Sequence, residues 1–168
     1  VGTPGPTPTA TYDTSLGVFQ GSVAYAASQE GNSEIYLLNF NYGRIEGGMA
    51  TNMTGHPAED TDPAWSPDGE WLAFLSDRTG KTELFLMHVA GSRLTQITNE
   101  PEIAWRGPLT WSNDGHTIAL TGNDTLNRND VLDRPSPFWV YLVPVNGGGD
   151  GPAQLGYSEN AGTVHFSP

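Results

Sequence analysis

Three asparagines and three aspartates crowd into one short stretch: Asn123, Asp124, Asn127, Asn129, Asp130 and Asp133. Oxygen donors at alternating positions are what calcium takes, but the Gly and closing Glu of the calcium-loop pattern are missing. No cofactor is therefore assigned, and Asp124, Asp130 and Asp133 stand only as weak metal candidates. A long polar loop is otherwise an ordinary place for partner recognition. Two further stretches are acidic: residues 55–62 carry Glu59, Asp60 and Asp62, and residues 99–107 carry Glu100 and Glu102 with Trp105 and Arg106. Carboxylates beside an exposed aromatic would suit a partner bearing Lys or Arg, and Trp and Arg are enriched at binding hot spots. The plain alternative is a solvated loop with Trp105 covering a sheet edge. Catalytic spacings are lacking. His56, His88, His116 and His165 fall in separate segments without an HExxH arrangement, and neither a GxSxG nucleophile elbow nor a phosphate-cradling loop occurs. The chain is expected to be non-catalytic.

The elements that must position these groups come from an internal repeat. Ala24, Ala73 and Ala119 recur at steps of 49 and 46 residues, and Gly31, Glu34, Ile35 and Tyr36 lie 49 before Gly80, Glu83, Leu84 and Phe85. Trp65-Ser66-Pro67-Asp68-Gly69 returns as Trp111-Ser112-Asn113-Asp114-Gly115, and in truncated form as Phe166-Ser167-Pro168. Residues 72–75, 83–88 and 94–97 are short apolar or alternating runs bounded by Gly, Asp, Asn or Pro, which predicts strands, and no stretch reads as a helix. Ser-Pro-Asp-Gly predicts a tight turn: Pro presets φ, Asp caps its own backbone, and Gly takes the positive φ. Trp65, Trp111, Phe166 and Trp71 are accordingly expected in packing and turns rather than as a sugar platform.

The Trp-Ser-Pro-Asp-Gly turn, the Leu-Ala-Phe-Leu-Ser-Asp-Arg run, the Glu-Leu-Phe-Leu-Met run and Arg-Leu-Thr-Gln-Ile-Thr together resemble the TolB-like β-propeller repeat, a relative of the WD repeat. The resemblance covers about residues 18–168. It weakens where Asn113 replaces the turn proline and where Thr121-Gly122-Asn123-Asp124 replaces Ser-Asp-Arg-Thr. It implies an all-β fold of about three four-stranded antiparallel blades, ring-like around a channel and used mostly for protein binding, with an extracytoplasmic address for many members. It also implies that Asp77 and Arg78 fix their loop by ion pairing, and that the connections bearing Glu59 and Glu100 share one face around the channel mouth. Similar blades serve as the gate of prolyl-oligopeptidase-like peptidases, whose hydrolase domain has no counterpart here.

On this reading residues 1–16 are a Pro/Thr-rich linker, semi-rigid and unable to pack a core. Blades span about 17–57, 58–103 and 104–160, followed by a terminal strand at 161–168. The first unit has no Trp-Ser-Pro-Asp-Gly turn and so lacks a first strand, while Val164, His165 and Phe166 form a first strand with no blade after it. Rings need four to eight blades, so this one is completed by a second chain or by further sequence. Exchange of the terminal strand would give a dimer or a filament.

The formal charge of −12, with Lys81 and six arginines against nineteen acidic residues, disfavours nucleic acid and anionic membranes and favours a basic protein partner. Cysteine is absent, so no disulfide framework is available. No apolar run is long enough to insert directly into a membrane. The expected function is a non-catalytic extracytoplasmic module for protein binding or self-assembly. The alternatives are the gating or substrate-binding part of a larger hydrolase or lyase, and a structural subunit of a filament or surface layer.

Overall fold

The computed structural model describes residues 20–28, 31–41, 44–91, 93–124, 138–145, 152–158 and 165–166. Among them the chain forms three four-stranded antiparallel sheets and no α-helix. The middle sheet shows the unit most plainly: β5 (Asp60–Trp65), β6 (Trp71–Ser76), β7 (Glu83–His88) and β8 (Leu94–Gln96) pair in chain order. The third sheet repeats that order with β9 (Ile103–Trp111), β10 (Thr117–Asp124), β11 (Phe138–Pro144) and β12 (Ala153–Ser158). In the first sheet β1 (Gly21–Ser28) pairs with β2 (Ser33–Asn41). The outer edge of β2 then carries two fragments, β3 (Arg44–Ile45) and β4 (Thr51–Asn52), split by a short 3-10 turn at Glu46–Gly48. By the repeat spacing β1 matches β6 and β10. Its four strands therefore include no counterpart of β5 or β9, and the inner edge of β1 has no partner among the described residues.

The tight turn is built twice from the same bonds. Ser66 Oγ donates to Asp68 Oδ1 at 2.5 Å and accepts from the Trp71 amide at 2.9 Å, while the Glu70 amide donates to the same Asp68 oxygen at 3.0 Å. Ser112, Asp114, His116 and Thr117 reproduce those contacts at 2.6, 3.0 and 3.0 Å. Gly69 and Gly115 both sit at φ +72°, the left-handed region that glycine enters without a Cβ clash. Asn113 in place of the proline leaves the turn intact, because serine, aspartate and glycine carry the hydrogen bonds.

The core lies between the sheets, and the two-residue strand period explains how. From β6 and β7, Ala73, Leu75, Leu84 and Leu86 join Trp105, Leu109, Trp111, Ile118, Leu120, Tyr141 and Val143 of the third sheet. The alternate residues Leu72, Phe74, Phe85 and Met87 join Ile35 of the first sheet. The middle sheet is thus apolar on both faces, and on the face toward the first sheet Phe74 and Phe85, opposed on β6 and β7, stack with centroids 6.0 Å apart.

Four residues expected in connecting loops are strand residues instead. β5 begins at Asp60 and β9 at Ile103, so Asp60, Asp62, Trp105 and Arg106 belong to the innermost strands. The entry of β5 is polar because its charge is answered inside the fold. Asp60 is fully buried and accepts from Arg78 Nη2 at 3.0 Å through both oxygens. Arg78 is in turn held over the rings of Phe74 and Phe85, 5.3 and 5.2 Å from their centroids. A register shift follows at residues 61–64, with Asp62 at φ +53°.

Candidate functional site

The strand order sends two kinds of loop to one end of the sheets. Among the described residues these are the β1–β2 and β6–β7 links, and the connections from β4 to β5 and from β8 to β9. Hydrogen bonds between the two kinds confirm the juxtaposition. Asn32 Nδ2 donates to the carbonyls of His56 and Ala58, both at 2.8 Å, and the Glu59 amide donates to Asp77 Oδ1 at 2.9 Å. Lys81 Nζ reaches the Pro101 carbonyl. Asp77 therefore anchors the neighbouring connection, while Arg78 pairs with Asp60 rather than with Asp77.

Beneath this end two glutamates at one repeat position are clasped in the same way. Glu34 Oε2 accepts from Thr54 Oγ1 at 2.5 Å, and Thr54 Oγ1 accepts from the Ile35 amide at 3.1 Å. Glu83 Oε2 accepts from Thr98 Oγ1 at 2.5 Å, and Thr98 Oγ1 accepts from the Leu84 amide at 2.9 Å. Each clasp ties the start of a third strand to the end of a fourth. The electrostatics diverge because the remaining donors differ. Burial raises the Glu34 carboxyl, but donors from Thr54, Asn32 and the His56 amide outweigh it and leave its pKa below the ordinary 4.5. Burial dominates at Glu83 and holds it above 4.5, against the pull of Thr98 and of Trp105 Nε1, which donates at 3.0 Å. Around Glu83 a pocket of about 350 Å³ opens between Thr79, Lys81, Gln96 and Asn99.

Of the acidic residues expected here, Glu59 and Glu102 are exposed, and Glu100 and Asp62 are half-buried. One oxygen of Glu59 accepts from the Ser33 amide at 3.0 Å. Asp60 is not part of this surface, because it is buried in its ion pair with Arg78. Trp105 is not the exposed aromatic that its acidic surroundings imply. It is 3 % exposed, hydrogen-bonded to Glu83, and edge-on to Tyr141 at 5.0 Å. Arg106 is exposed, its guanidinium 5.6 Å from the Phe138 ring centroid. The surface that remains at this end is Glu59, Asp62, Glu100, Glu102 and Arg106, with Lys81 among them.

Of the terminal segment, Val164 lies outside the described residues, His165 is exposed and Phe166 half-buried. Asp130 and Asp133 also lie outside the described residues, and Asp124 closes β10. Among the described residues no three His, Cys, Asp or Glu are grouped to hold a metal. The sequence signal for the glutamate clasps is the recurrence of Glu34 as Glu83 at one repeat position, which shows the repeat but not the threonine partners twenty and fifteen residues away.

The TolB beta propeller domain family matches residues 20–134. Over 122 residues the chain is 28 % identical to the Tol-Pal system protein TolB of Desulfosudis oleivorans, covering 67 % of this chain and 27 % of that protein. It is 36 % identical over 100 residues to the uncharacterized peptidase YuxL of Bacillus subtilis, covering 58 % of this chain and 15 % of the relative. The crystal structure of TolB from Acinetobacter baumannii superposes with a TM-score of 0.64 at 23 % identity, over 88 % of this chain and 32 % of that one, and shows the same fold. This chain thus spans about a quarter of the TolB relative and a third of the solved TolB. With the repeated turn, the four-strand order and a family match over most of its length, the chain belongs to the TolB beta propeller domain family.

Proposed function

We propose that this chain is a non-catalytic propeller module of an extracytoplasmic protein, and that it binds a basic surface of a protein partner through the connection end of its sheets. The observation that carries the reading is the division of labour among its acids. Asp60, Glu34 and Glu83 are consumed by the fold, whereas Glu59 and Glu102 are presented to solvent at the same end with Glu100 and Asp62 beside them. Rim charges of this kind steer a partner of opposite sign and tune its on-rate, an effect that salt screens. The name of the Desulfosudis relative places it in the Tol-Pal system, which supports a protein partner and a cell-envelope address for this chain.

The test is affinity capture from the source cell envelope with the wild-type chain and with the triple variant Glu59→Lys, Glu100→Lys, Glu102→Lys. A partner held by wild type at low salt and absent from the triple variant is the expected result. A partner retained equally by both would remove this end of the molecule as the binding face.

A second reading is favoured by the YuxL similarity: this module would be the gating or substrate-binding part of a larger peptidase. A continuous reading frame encoding a nucleophile-bearing domain would establish it. Self-assembly through residues 164–166 is supported by the unpartnered inner edge of β1 among the described residues. Light scattering decides it: a dimer or longer series that Phe166→Asp reduces to monomer is expected, and a wild-type monomer sinks it.

A further inference from the structure

The end of the sheets opposite the connections carries a cleft of about 400 Å³ between the second and third sheets. Trp71, Trp111 and Ile97 line it, and Asp68, Asp114 and His116 stand among the residues at its rim. The two tight turns meet there, since a Cβ on Gly115 would lie 3.8 Å from Pro67 Cδ. The turn geometry has a directional result. The side-chain and main-chain donors that build each turn both fall on Oδ1 of its aspartate, which leaves Oδ2 of Asp68 and of Asp114 outside the turn bonds between residues. Two carboxylates are therefore held in fixed orientations with one oxygen each to spare. Their own turn donors, Ser66 and Ser112 foremost, also keep both ionised to lower pH than usual.

The wall of the cleft complements those charges. Trp71 is half-buried, its indole N–H has no partner among the described residues, and its ring is fixed edge-on to His88 at 5.1 Å and 90°. Trp111 is spent differently, donating to the Ala64 carbonyl at 3.2 Å, and forms floor. Among the described residues that line the space there is no lysine or arginine, and the basic groups beside the two carboxylates are imidazoles, His88 near Asp68 and His116 near Asp114. An apolar wall with an aromatic face beneath paired carboxylates fits a side chain with an apolar stem and a cationic head. A guanidinium fits better than an ammonium, because it stacks flat on an indole and offers several donors at once.

We propose that this cleft is a docking site for an arginine side chain of a partner protein, with the stem against Trp71 and the guanidinium directed to Asp68 and Asp114. It lies at the end of the sheets away from Glu59, Glu100 and Glu102, so the charge reversals at those residues leave it unchanged.

The test is a titration of the isotope-labelled 168-residue chain, followed by amide and indole resonances, with acetyl-Gly-Arg-Gly-amide and with its uncharged citrulline analogue. The expected result is saturable shifts of the Trp71 indole N–H and of the Gly69 and Gly115 amides by the arginine peptide, in the millimolar range of a single side chain. The citrulline peptide should bind about tenfold more weakly or less, since a charge-assisted pair is lost. The double variant Asp68→Asn, Asp114→Asn, which retains an oxygen for each turn, should abolish the preference. Equal shifts by both peptides would reduce the cleft to an apolar crevice, and no shift at these positions would end the proposal. The two-peptide comparison needs no variant, so a double variant that failed to fold would leave the question decidable.

Discussion

Glu34 and Glu83 occupy one position in the repeat and share one threonine partner each, yet acid should separate them. The Glu34 carboxyl is held below 4.5, so its contribution to stability is present above 4.5 and is lost as the pH falls through its lowered folded value. Glu83 is held above 4.5, so the fold favours its protonated form. That contribution is present below 4.5 and is lost as the pH rises through its raised folded value. At pH 7, Glu34→Gln should cost about 1–3 kcal/mol, the range for stranding donors of a charged acceptor. Glu83→Gln should cost less, since its amide oxygen can still accept from Thr98 and Trp105 while the buried charge is gone. Urea unfolding of both variants at pH 7 and near pH 4 measures this, and equal costs at pH 7 would show that the two clasps are electrostatically alike. Arg78 makes a harder case. Arg78→Ala leaves Asp60 buried without a counter-charge and should destabilise by about 3–5 kcal/mol, whereas the paired replacement of both by apolar residues should cost far less. A double-mutant cycle reads the difference.

At the scale of elements, the third sheet depends on a missing side chain. A Cβ at Gly122 of β10 would lie 2.7 Å from Ile103 and 3.1 Å from both Trp105 and Tyr141. The absent methyl is what lets the Trp105–Tyr141 pair close over the strand. Gly122→Ala should therefore destabilise by about 1–3 kcal/mol through overpacking, while an alanine at a surface strand position such as Thr95 should cost little. Thermal melts of the two variants check the contrast. Strands and turns of this sheet were legible in the sequence because both are local: a two-residue apolar period and a Ser-Asp-Gly turn that recurs 46 residues later. The start of β9 was not. Whether Trp105 points inward depends on Glu83, twenty-two residues earlier, and on Tyr141 across two strand pairings, and an acid-rich flank hides both. Asp60 was misplaced for the same reason, since its burial is intelligible only with Arg78 beneath it. At the acidic connection end the sequence shows charge but not depth: Glu59 and Glu102 are exposed, and Trp105, expected beside them at the surface, is in the core.

For the whole molecule, the distribution of core predicts a gradient of stability. β6 and β7 are sealed by a sheet on either face, whereas the inner edge of β1 has no strand partner among the described residues and its sequence is largely exposed. Hydrogen exchange should find the amides of β6 and β7 the slowest and those of β1 among the fastest, separated by several kcal/mol of opening free energy. Uniform protection across the three sheets would contradict a core centred on the middle one.

That same two-faced middle sheet has a cost during synthesis. Trp71–Ser76 and Glu83–His88 form a hairpin whose six-residue link closes quickly, so it can assemble before either neighbouring sheet exists to cover it. Until then the hairpin shows apolar side chains on both sides and an unpaired outer strand, the profile of a segment that pairs with other copies of itself. Refolding from denaturant should lose yield steeply as protein concentration rises, and Phe85→Lys, though it wrecks the native core, should reduce the light scattering of aggregates formed on dilution; a wild-type yield independent of concentration would show that the hairpin is shielded from the start.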